Sequence, residues 1–365
     1  MSIKNKIAVL GAGNGGTAIA AYLTSVGAEV NLYDPFPQYL EGIQKSGYIE
    51  LTINGETTKQ ALNSVTSDVA IAVKDAPLIL VVTPAFTHRI IAENCAPYLE
   101  DSQIIVLNPG RTGGVLEFLA TVRSMGCKKD ITVAETQTLI YACRKTGDYS
   151  VEVFGVKKEV ALAALPANRI QLVLDALHPY YPQFQPAKNC FETSLANIGA
   201  VVHPVPILLN IGHIECKTEA YTHYWAGVTP AVTVLMKAVD RERLNVAAAY
   251  NTKVQSLEEW LKYSYDTYGD TVYDLIQNNK AYQKVPAPKS VDHRFITEDV
   301  PTGLVPISEL GKVVNVPTPN IDAVILLANT IYKKDFRKGG RSLKSLGLDG
   351  MNPAQVSRYL ESGEK

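Results

Sequence analysis

A short apolar strand, Ile7-Ala8-Val9-Leu10, runs without a break into Gly11-Ala12-Gly13-Asn14-Gly15-Gly16, and an amphipathic run from Thr17 to Val26 follows at once. Few local patterns restrict a fold as much as a glycine loop held between a strand and a helix. Gly11 permits the tight turn out of the strand, Gly13 lets the backbone come close to a pyrophosphate, and Gly16 lets the helix pack tightly on the sheet. The helix start, with Asn14 and Gly15, offers unpaired N–H groups and a positive dipole end to phosphate. A second strand, Glu29 to Tyr33, ends in Asp34. An acidic residue placed about 20 positions after the glycines accepts the adenosine ribose hydroxyls. A carboxylate there repels a 2′-phosphate, and no arginine follows in Pro35-Phe36-Pro37-Gln38. NAD (as NADH) is therefore the expected dinucleotide, with NADP disfavoured.

The first half continues in alternating strands and helices. A helical stretch near Pro37 to Lys45 leads to an expected hairpin, Tyr48 to Ile53 against Lys59 to Val65, with Asn54-Gly55 as its turn. Leu78 to Val82 is wholly apolar, as in a parallel strand covered on both faces. A helix from Thr87 to Leu99, a strand from Gln103 to Leu107, a helix ending at Arg123 and a strand from Ile131 to Glu135 follow. Val151 to Val156 and Glu159 to Leu165 read as a late antiparallel pair. The pattern is that of a doubly wound α/β sheet, in which ligands bind beyond the carboxyl ends of the strands. The loops Gly11–Gly16, Thr83-Pro84-Ala85, Asn108-Pro109-Gly110 and Glu135 to Thr138 are expected to line one crevice, with Thr83, Pro84, Asn108 and Glu135 beside the cofactor.

At 365 residues the chain is long for a single core, which favours two domains. From Glu192 onward the pattern turns mainly helical: Thr193 to Gly212, Thr229 to Ala249, Ser256 to Lys262, Thr271 to Asn278 and Ile321 to Tyr332. The expected division is a dinucleotide-binding domain over residues 1–186 and a helical substrate domain over 187–365, closing over the crevice. A net charge of −1 gives no support for nucleic acid or a membrane surface as partner. No apolar run is long enough to span a bilayer. The start of the chain enters a strand directly, so no secretory leader is expected. The five cysteines are scattered, odd in number and without a C-x-x-C pair, so neither a zinc site nor a disulfide framework is indicated. A cytoplasmic enzyme acting on small molecules is the plain expectation, and a homodimer is compatible with it.

Two later segments stand out. Asn197-Ile198-Gly199-Ala200-Val201-Val202-His203-Pro204-Val205-Pro206-Ile207-Leu208-Leu209-Asn210 sets a histidine among apolar residues and follows it with two prolines. Each proline removes a backbone donor and disturbs a helix, so the freed carbonyls need other partners. On residue type alone His203 reads first as a packed core histidine and only second as a catalytic one, and composition does not rank His178, His213, His223 and His293 against it. The segment from Val291 to Pro306 gathers Asp292, His293, Arg294, Glu298 and Asp299 in a loop-like stretch. Arginine can hold a carboxylate in a bidentate fork, and an aspartate beside a histidine can fix its tautomer. A solvated charged loop is the bland alternative, as it is for the basic stretch from Lys333 to Arg341.

Asn-Ile-Gly-Ala-x-x-His-Pro-x-Pro-x-Leu-Leu-Asn at 197–210, Glu-Asp-x-Pro-x-x-Leu-x-Pro at 298–306 and the amino-terminal glycine loop together resemble the octopine/nopaline (opine) dehydrogenase family. The likeness extends over nearly the whole chain, and the two later segments are far more specific than the glycine loop. It implies reductive condensation of an amino acid's amine with a 2-oxo acid, usually pyruvate, using NAD(P)H. It also implies an amino-terminal Rossmann domain, a helical carboxyl-terminal domain and substrate between them. Carried over by position, His203 matches the acid/base histidine, Asp299 the aspartate paired with it, and Arg294 the arginine that holds the oxo-acid carboxylate. Tyr141-Ala142-Cys143-Arg144 resembles a segment on the amino-acid side, though Cys143 reads as readily as a small buried hydrophobe. Trp225, in Tyr224-Trp225-Ala226-Gly227, is readable either as a wall of the substrate pocket or as simple packing.

Two rival readings differ in class. A ketopantoate-like reductase would give a 2-hydroxy acid and is expected to carry a lysine on the first helix of the second domain, yet residues 193–212 contain none. A non-enzymatic dinucleotide sensor would keep the glycine loop and Asp34 without needing His203, Arg294 and Asp299.

Overall fold

The structure is a computed structural model and describes residues 6–216 and 220–364. The chain forms two compact units: Met1–Thr193 together with Arg358–Lys365, and Ser194–Ser357. The final stretch thus returns to the first unit, which a division into two consecutive blocks at 186/187 does not provide for. The helix Pro353–Ser362 carries that return.

The described residues of the first unit form twelve strands: β1 Lys6–Leu10, β2 Glu29–Tyr33, β3 Ile49–Ile53, β4 Glu56–Gln60, β5 Ser64–Thr66, β6 Leu78–Val81, β7 Ile104–Leu107, β8 Thr132–Thr136, β9 Tyr141–Lys145, β10 Ser150–Val156, β11 Val160–Leu165 and β12 Phe184–Pro186. Eight of them make one sheet in the order β12-β11-β8-β7-β6-β1-β2-β5. β5, β2, β1, β6, β7 and β8 run parallel, while β11 lies antiparallel to β8. The order reverses between β1 and β6, which is where a doubly wound sheet opens a crevice for a dinucleotide. From Ile7 on in β1, and throughout β6 and β7, the central strands are buried, consistent with helices on both faces.

The second sheet, in the order β4-β3-β10-β9, corrects the expected pairing of 151–156 with 159–165. β10 pairs with β3 and β9, whereas β11 joins the main sheet. Alternation of apolar residues identifies a strand but not its neighbour. The Asn54-Gly55 turn does form, with φ of 53° and 82° at its two residues, and joins β3 to β4. Val65, assigned to the hairpin by pattern, belongs to β5 beside β2.

In the second unit the expected long helix over 193–212 is a series of short ones: Gly199–Val202, Pro204–Leu209 and Ile211–Cys216 after Cys190–Leu195. His203 sits at the break, and Pro204 opens the next helix at a position where its missing N–H costs nothing. Longer helices, Pro230–Ala249, Leu257–Tyr265, Val305–Val313 and Pro319–Tyr332, share the core with these short ones and with the connecting segments. The buried Arg243 joins several of these segments: it pairs with Asp240 and donates to the carbonyls of Leu195 and Gln255.

The charged stretch 291–306 is not a solvated loop. It forms a helix, Arg294–Thr297, then a π-helical turn, Val300–Leu304, and Glu298 and Asp299 between them are almost fully buried. The basic stretch 333–341 keeps much of the expected solvated character, with Lys333, Lys334, Asp335 and Lys338 exposed, but its arginines do not share it. Arg341 is buried, with its N–H donated to the Pro301 carbonyl, and Arg337 pairs with Asp322. Glu298 and Asp299 turn inward against Arg294 and His203, since a charge can leave water only where it finds a partner. Among the described residues no helix is long and apolar enough to cross a membrane.

Candidate functional site

The glycine loop is shaped by what leaves no room for a side chain. Gly11 has φ of +116°, and a Cβ there would lie 2.5 Å from the Val82 carbonyl oxygen. A Cβ on Gly16 would lie 1.8 Å from the Gly11 oxygen, so the helix Asn14–Ser25 could not approach the strand. Gly13 is the opposite case: a Cβ there meets nothing within 4 Å. That open face is where a ligand's phosphates would need the bare backbone. No side chain caps this helix and no acidic residue stands in its first turn, which leaves its N–H groups and dipole end to an anion.

Asp34 accepts hydrogen bonds from Ala12 N–H at 2.8 Å and from Phe36 N–H at 3.0 Å. It therefore fixes the loop as well as ending β2. Asn14 faces β9: its Oδ1 accepts the Lys145 N–H at 2.9 Å, and the Cys143 thiol lies 3.5 Å from its carbonyl oxygen. Burial pushes the Cys143 thiol up to about 11, so it stays protonated and packs as a small weak donor. Thr83, at the exit of β6, has a buried hydroxyl oxygen with no hydrogen-bond partner among the described residues. Pro84 leads the following turn, its carbonyl accepting from Thr87. Open space at Gly13, unclaimed N–H groups and the unmet Thr83 hydroxyl fit the pyrophosphate half of a dinucleotide.

Two residues placed beside the cofactor by position turn inward instead. Asn108 is buried and its amide donates to the Val106 carbonyl at 2.9 Å. Glu135 is fully buried, with one oxygen taking the Val115 N–H at 2.9 Å and the other the Thr193 hydroxyl at 2.7 Å. Its carboxylate holds the start of the helix Gly114–Ser124 rather than standing open to a ligand. Lys157, not singled out in the sequence, lies at the same strand exit. Its ammonium donates to Thr138 Oγ1 at 2.6 Å and to the Leu139 carbonyl at 2.9 Å. Burial, with Arg111 near it, pulls that ammonium down to about 8.

The second unit gathers side chains distant in sequence. His203 Nδ1 lies 2.7 Å from Asp299 Oδ2, with His203 side-chain exposure 16% and Asp299 only 2%. A hydrogen on Nδ1 is the one that can bridge this pair, which leaves Nε2 as the ring's other working nitrogen. The imidazole also stacks on Phe295, centroids 4.0 Å apart and planes 10° from parallel. His223 and His293 contact the same phenyl ring at 4.9 and 4.5 Å. Burial, with His203 and His293 nearby, lowers His223 from 6.5 to about 3, so it stays neutral. Burial and the Arg294 charge also lower His293. The remaining competitors are otherwise engaged: His178 bonds to the Phe184 carbonyl, and His213 packs on Tyr221.

Arg294 reaches one oxygen of Glu298 with Nε at 3.0 Å and Nη2 at 2.9 Å, yet more than half of its side chain remains exposed. The neighbouring carboxylates thus divide their work, Glu298 to the arginine and Asp299 to the histidine. Trp225 is half exposed and tied to Gln277 by two hydrogen bonds, Nε1 to its carbonyl at 2.8 Å and its side-chain amide to the Trp225 carbonyl at 3.0 Å. Phe295 was not singled out in the sequence, and His223 stood there only as a rival to His203, because only the fold brings the two to it. Among the described residues no cluster of histidine, cysteine or carboxylate side chains is arranged to hold a metal ion.

Residues 186–332 match the family described as NAD/NADP octopine/nopaline dehydrogenase, alpha-helical domain, and residues 6–124 match the NAD-dependent glycerol-3-phosphate dehydrogenase N-terminus. An opine dehydrogenase of Arthrobacter sp. (strain 1C) is 42% identical over 354 residues, covering 97% of this chain and 98% of that protein. The octopine dehydrogenase of Pecten maximus is 28% identical over 371 residues, with 92% of each chain covered. Among solved structures, an octopine dehydrogenase described with NADH and L-arginine shares the fold with a TM-score of 0.83 at 23% identity, covering 99% of this chain and 98% of that one. With a glycine-loop unit, a helical unit holding a histidine–aspartate pair, and this likeness along almost its full length, the chain belongs to the octopine/nopaline (opine) dehydrogenase family of NAD(P)-dependent oxidoreductases.

Proposed function

We propose that the chain joins the amine of an L-amino acid to the carbonyl carbon of a 2-oxo acid, pyruvate foremost, and reduces the resulting imine to a secondary amine bearing two carboxylates. The reading is carried by the His203–Asp299 pair, a buried carboxylate 2.7 Å from a partly accessible imidazole. Attack of the amine nitrogen on the carbonyl carbon must be followed by loss of that oxygen as water. His203 donates the proton to the departing oxygen from Nε2, while Asp299 holds the Nδ1 hydrogen and stabilises the imidazolium. In the oxidative direction the same nitrogen takes the proton back. A positioned group of this kind contributes roughly 10²–10⁴-fold in rate. Arg294 holds the 2-oxo acid carboxylate with the guanidinium edge that Glu298 leaves available.

When bound, the reduced nicotinamide supplies the hydride. Gly11, Gly13, Asn14, Gly15 and Gly16 cradle its phosphates, Thr83 and Pro84 border them, and Asp34 selects NADH over NADPH by charge. Cys143 lines the amino-acid side as an uncharged contact. All five cysteines are free, as suits a cytoplasmic enzyme.

The deciding experiment follows NADH or NADPH oxidation with pyruvate alone and with pyruvate plus pooled L-amino acids, and identifies products by mass spectrometry. Amine-dependent oxidation, faster with NADH and yielding a carboxyethyl amino acid, is expected. Oxidation by pyruvate alone to a 2-hydroxy acid would overturn the reading, and faster oxidation of NADPH would overturn the role given to Asp34.

A further inference from the structure

Three of the six histidines in the chain meet on one phenyl ring. Phe295 and Asp299 stand four residues apart on one helical run, so they project as neighbours on the same face. Asp299 takes the edge of the His203 imidazole at Nδ1, and Phe295 takes its face. The two contacts restrain different motions. One hydrogen bond fixes the position of one nitrogen but leaves the ring free to swing about that bond. A parallel stack at 4.0 Å removes the swing.

The phenyl ring is itself held. His293 accepts the Phe295 N–H at Nδ1, 3.3 Å away, and sets its edge toward the same ring, with planes 80° apart. His223 is buried against it, Nε2 having no hydrogen-bond partner among the described residues, so its contribution there is packing. Behind His223 the contacts continue from ring to ring through Tyr224, Tyr282 and Tyr265 to Trp260. His203 is the end of an unbroken aromatic series, and its plane is set by that packing.

We propose that Phe295 is a positioning residue for His203. Together with Asp299 it clamps the imidazole by face and by edge, so that Nε2 is held in one direction for proton transfer to the departing oxygen. The inference rests on the acid/base role given to His203. Nothing in it requires Phe295 to touch substrate or cofactor.

The test compares Phe295→Leu, which keeps apolar bulk but has no plane, with Phe295→Tyr, which keeps the face. Each is made alone and in a His203→Ala background, in the full chain, with pyruvate, a turned-over amino acid and NADH. Phe295→Leu should lower kcat roughly 10- to 100-fold, the scale of loss from misplacing a catalytic group. The KM values and the NADH Kd should stay within about twofold, because ground-state binding does not use the clamp. Phe295→Tyr should recover most of kcat. In the His203→Ala background Phe295→Leu should have almost no further effect, since two groups acting as one unit are not additive.

Undiminished kcat in Phe295→Leu, or the same fold loss with and without His203, would overturn the inference. Should Phe295→Leu fail to fold by its thermal melt, Phe295→Met is read by the same criteria. A His203→Ala enzyme with full kcat would instead overturn the acid/base reading itself, so the two failures are distinguishable.

Discussion

The glycine loop of the first unit and the histidine cluster of the second are built in opposite ways. The loop is contiguous in sequence and works through absence, with no Cβ at Gly11, Gly13 and Gly16 and no cap on the helix that follows. The cluster is dispersed over residues 203, 223 and 293–299 and works through the presence of particular rings and carboxylates. A site made of bare backbone serves any dinucleotide-dependent reaction, because it meets only the part of the ligand that those reactions share. A site made of converging side chains can be particular to one chemistry. On the proposed reading, the general function lies in the first unit and the specific one in the second.

The sharpest way to break the comparison is His203→Ala. If the second unit carries the chemistry, kcat should fall by about 10²–10⁴-fold, with the NADH Kd from fluorescence titration unchanged. A large rise in that Kd would show that the two sites do not divide their labour. The loop can be dissected with two identical chemical changes. Gly16→Ala forces a methyl group into the Gly11 carbonyl, so NADH binding and thermal stability should fall together. Gly13→Ala enters open space, so the melting temperature should hold while NADH affinity alone drops, roughly tenfold for a backbone approach lost. Equal thermal losses in both would contradict the reading of Gly13 as the ligand-facing position.

The smallest effect concerns His223. Its folded-state value near 3 lies below the ordinary 6.5, so the unfolded chain binds a proton that the folded chain refuses. That difference withdraws stability as pH falls from about 6.5 toward 3, by an amount on the order of a few kcal/mol at most. Denaturation of His223→Phe should therefore show a flatter acid limb than the parent chain. An unchanged acid limb would mean that the buried imidazole is not held neutral.

Much of the first unit was legible in the sequence. The glycine loop, Asp34, the apolar strands and the Asn54-Gly55 turn are local signals, each determined by residues near one another. The pairing of β10 and β11 was not, because a strand's partner is chosen by the fold and alternation carries no address. Glu135 and Asn108 show the same limit, since position placed them at the ligand-facing edge while hydrogen bonds, to partners 20 and 58 residues away for Glu135 and two away for Asn108, drew their side chains inward. In the second unit Pro204 signalled a disturbance, yet one helix was expected across the break at His203, and the fate of the charged stretch was not legible either. Charge suggests water until its partners are known, and those of Asp299 and Glu298 are a histidine 96 residues away and an arginine four residues away.

The hydrogen bond from Ala12 N–H to Asp34 has a consequence for altering this enzyme by design. A change of Asp34 meant to admit a 2′-phosphate would remove the acceptor that steadies the glycine loop. If Asp34 selects the coenzyme by charge as proposed, coenzyme choice and loop geometry are not independent variables in this chain. Asp34→Asn, which drops the charge but keeps an oxygen for Ala12, is the less disruptive route to a broader coenzyme range, and Asp34→Ala the more damaging one.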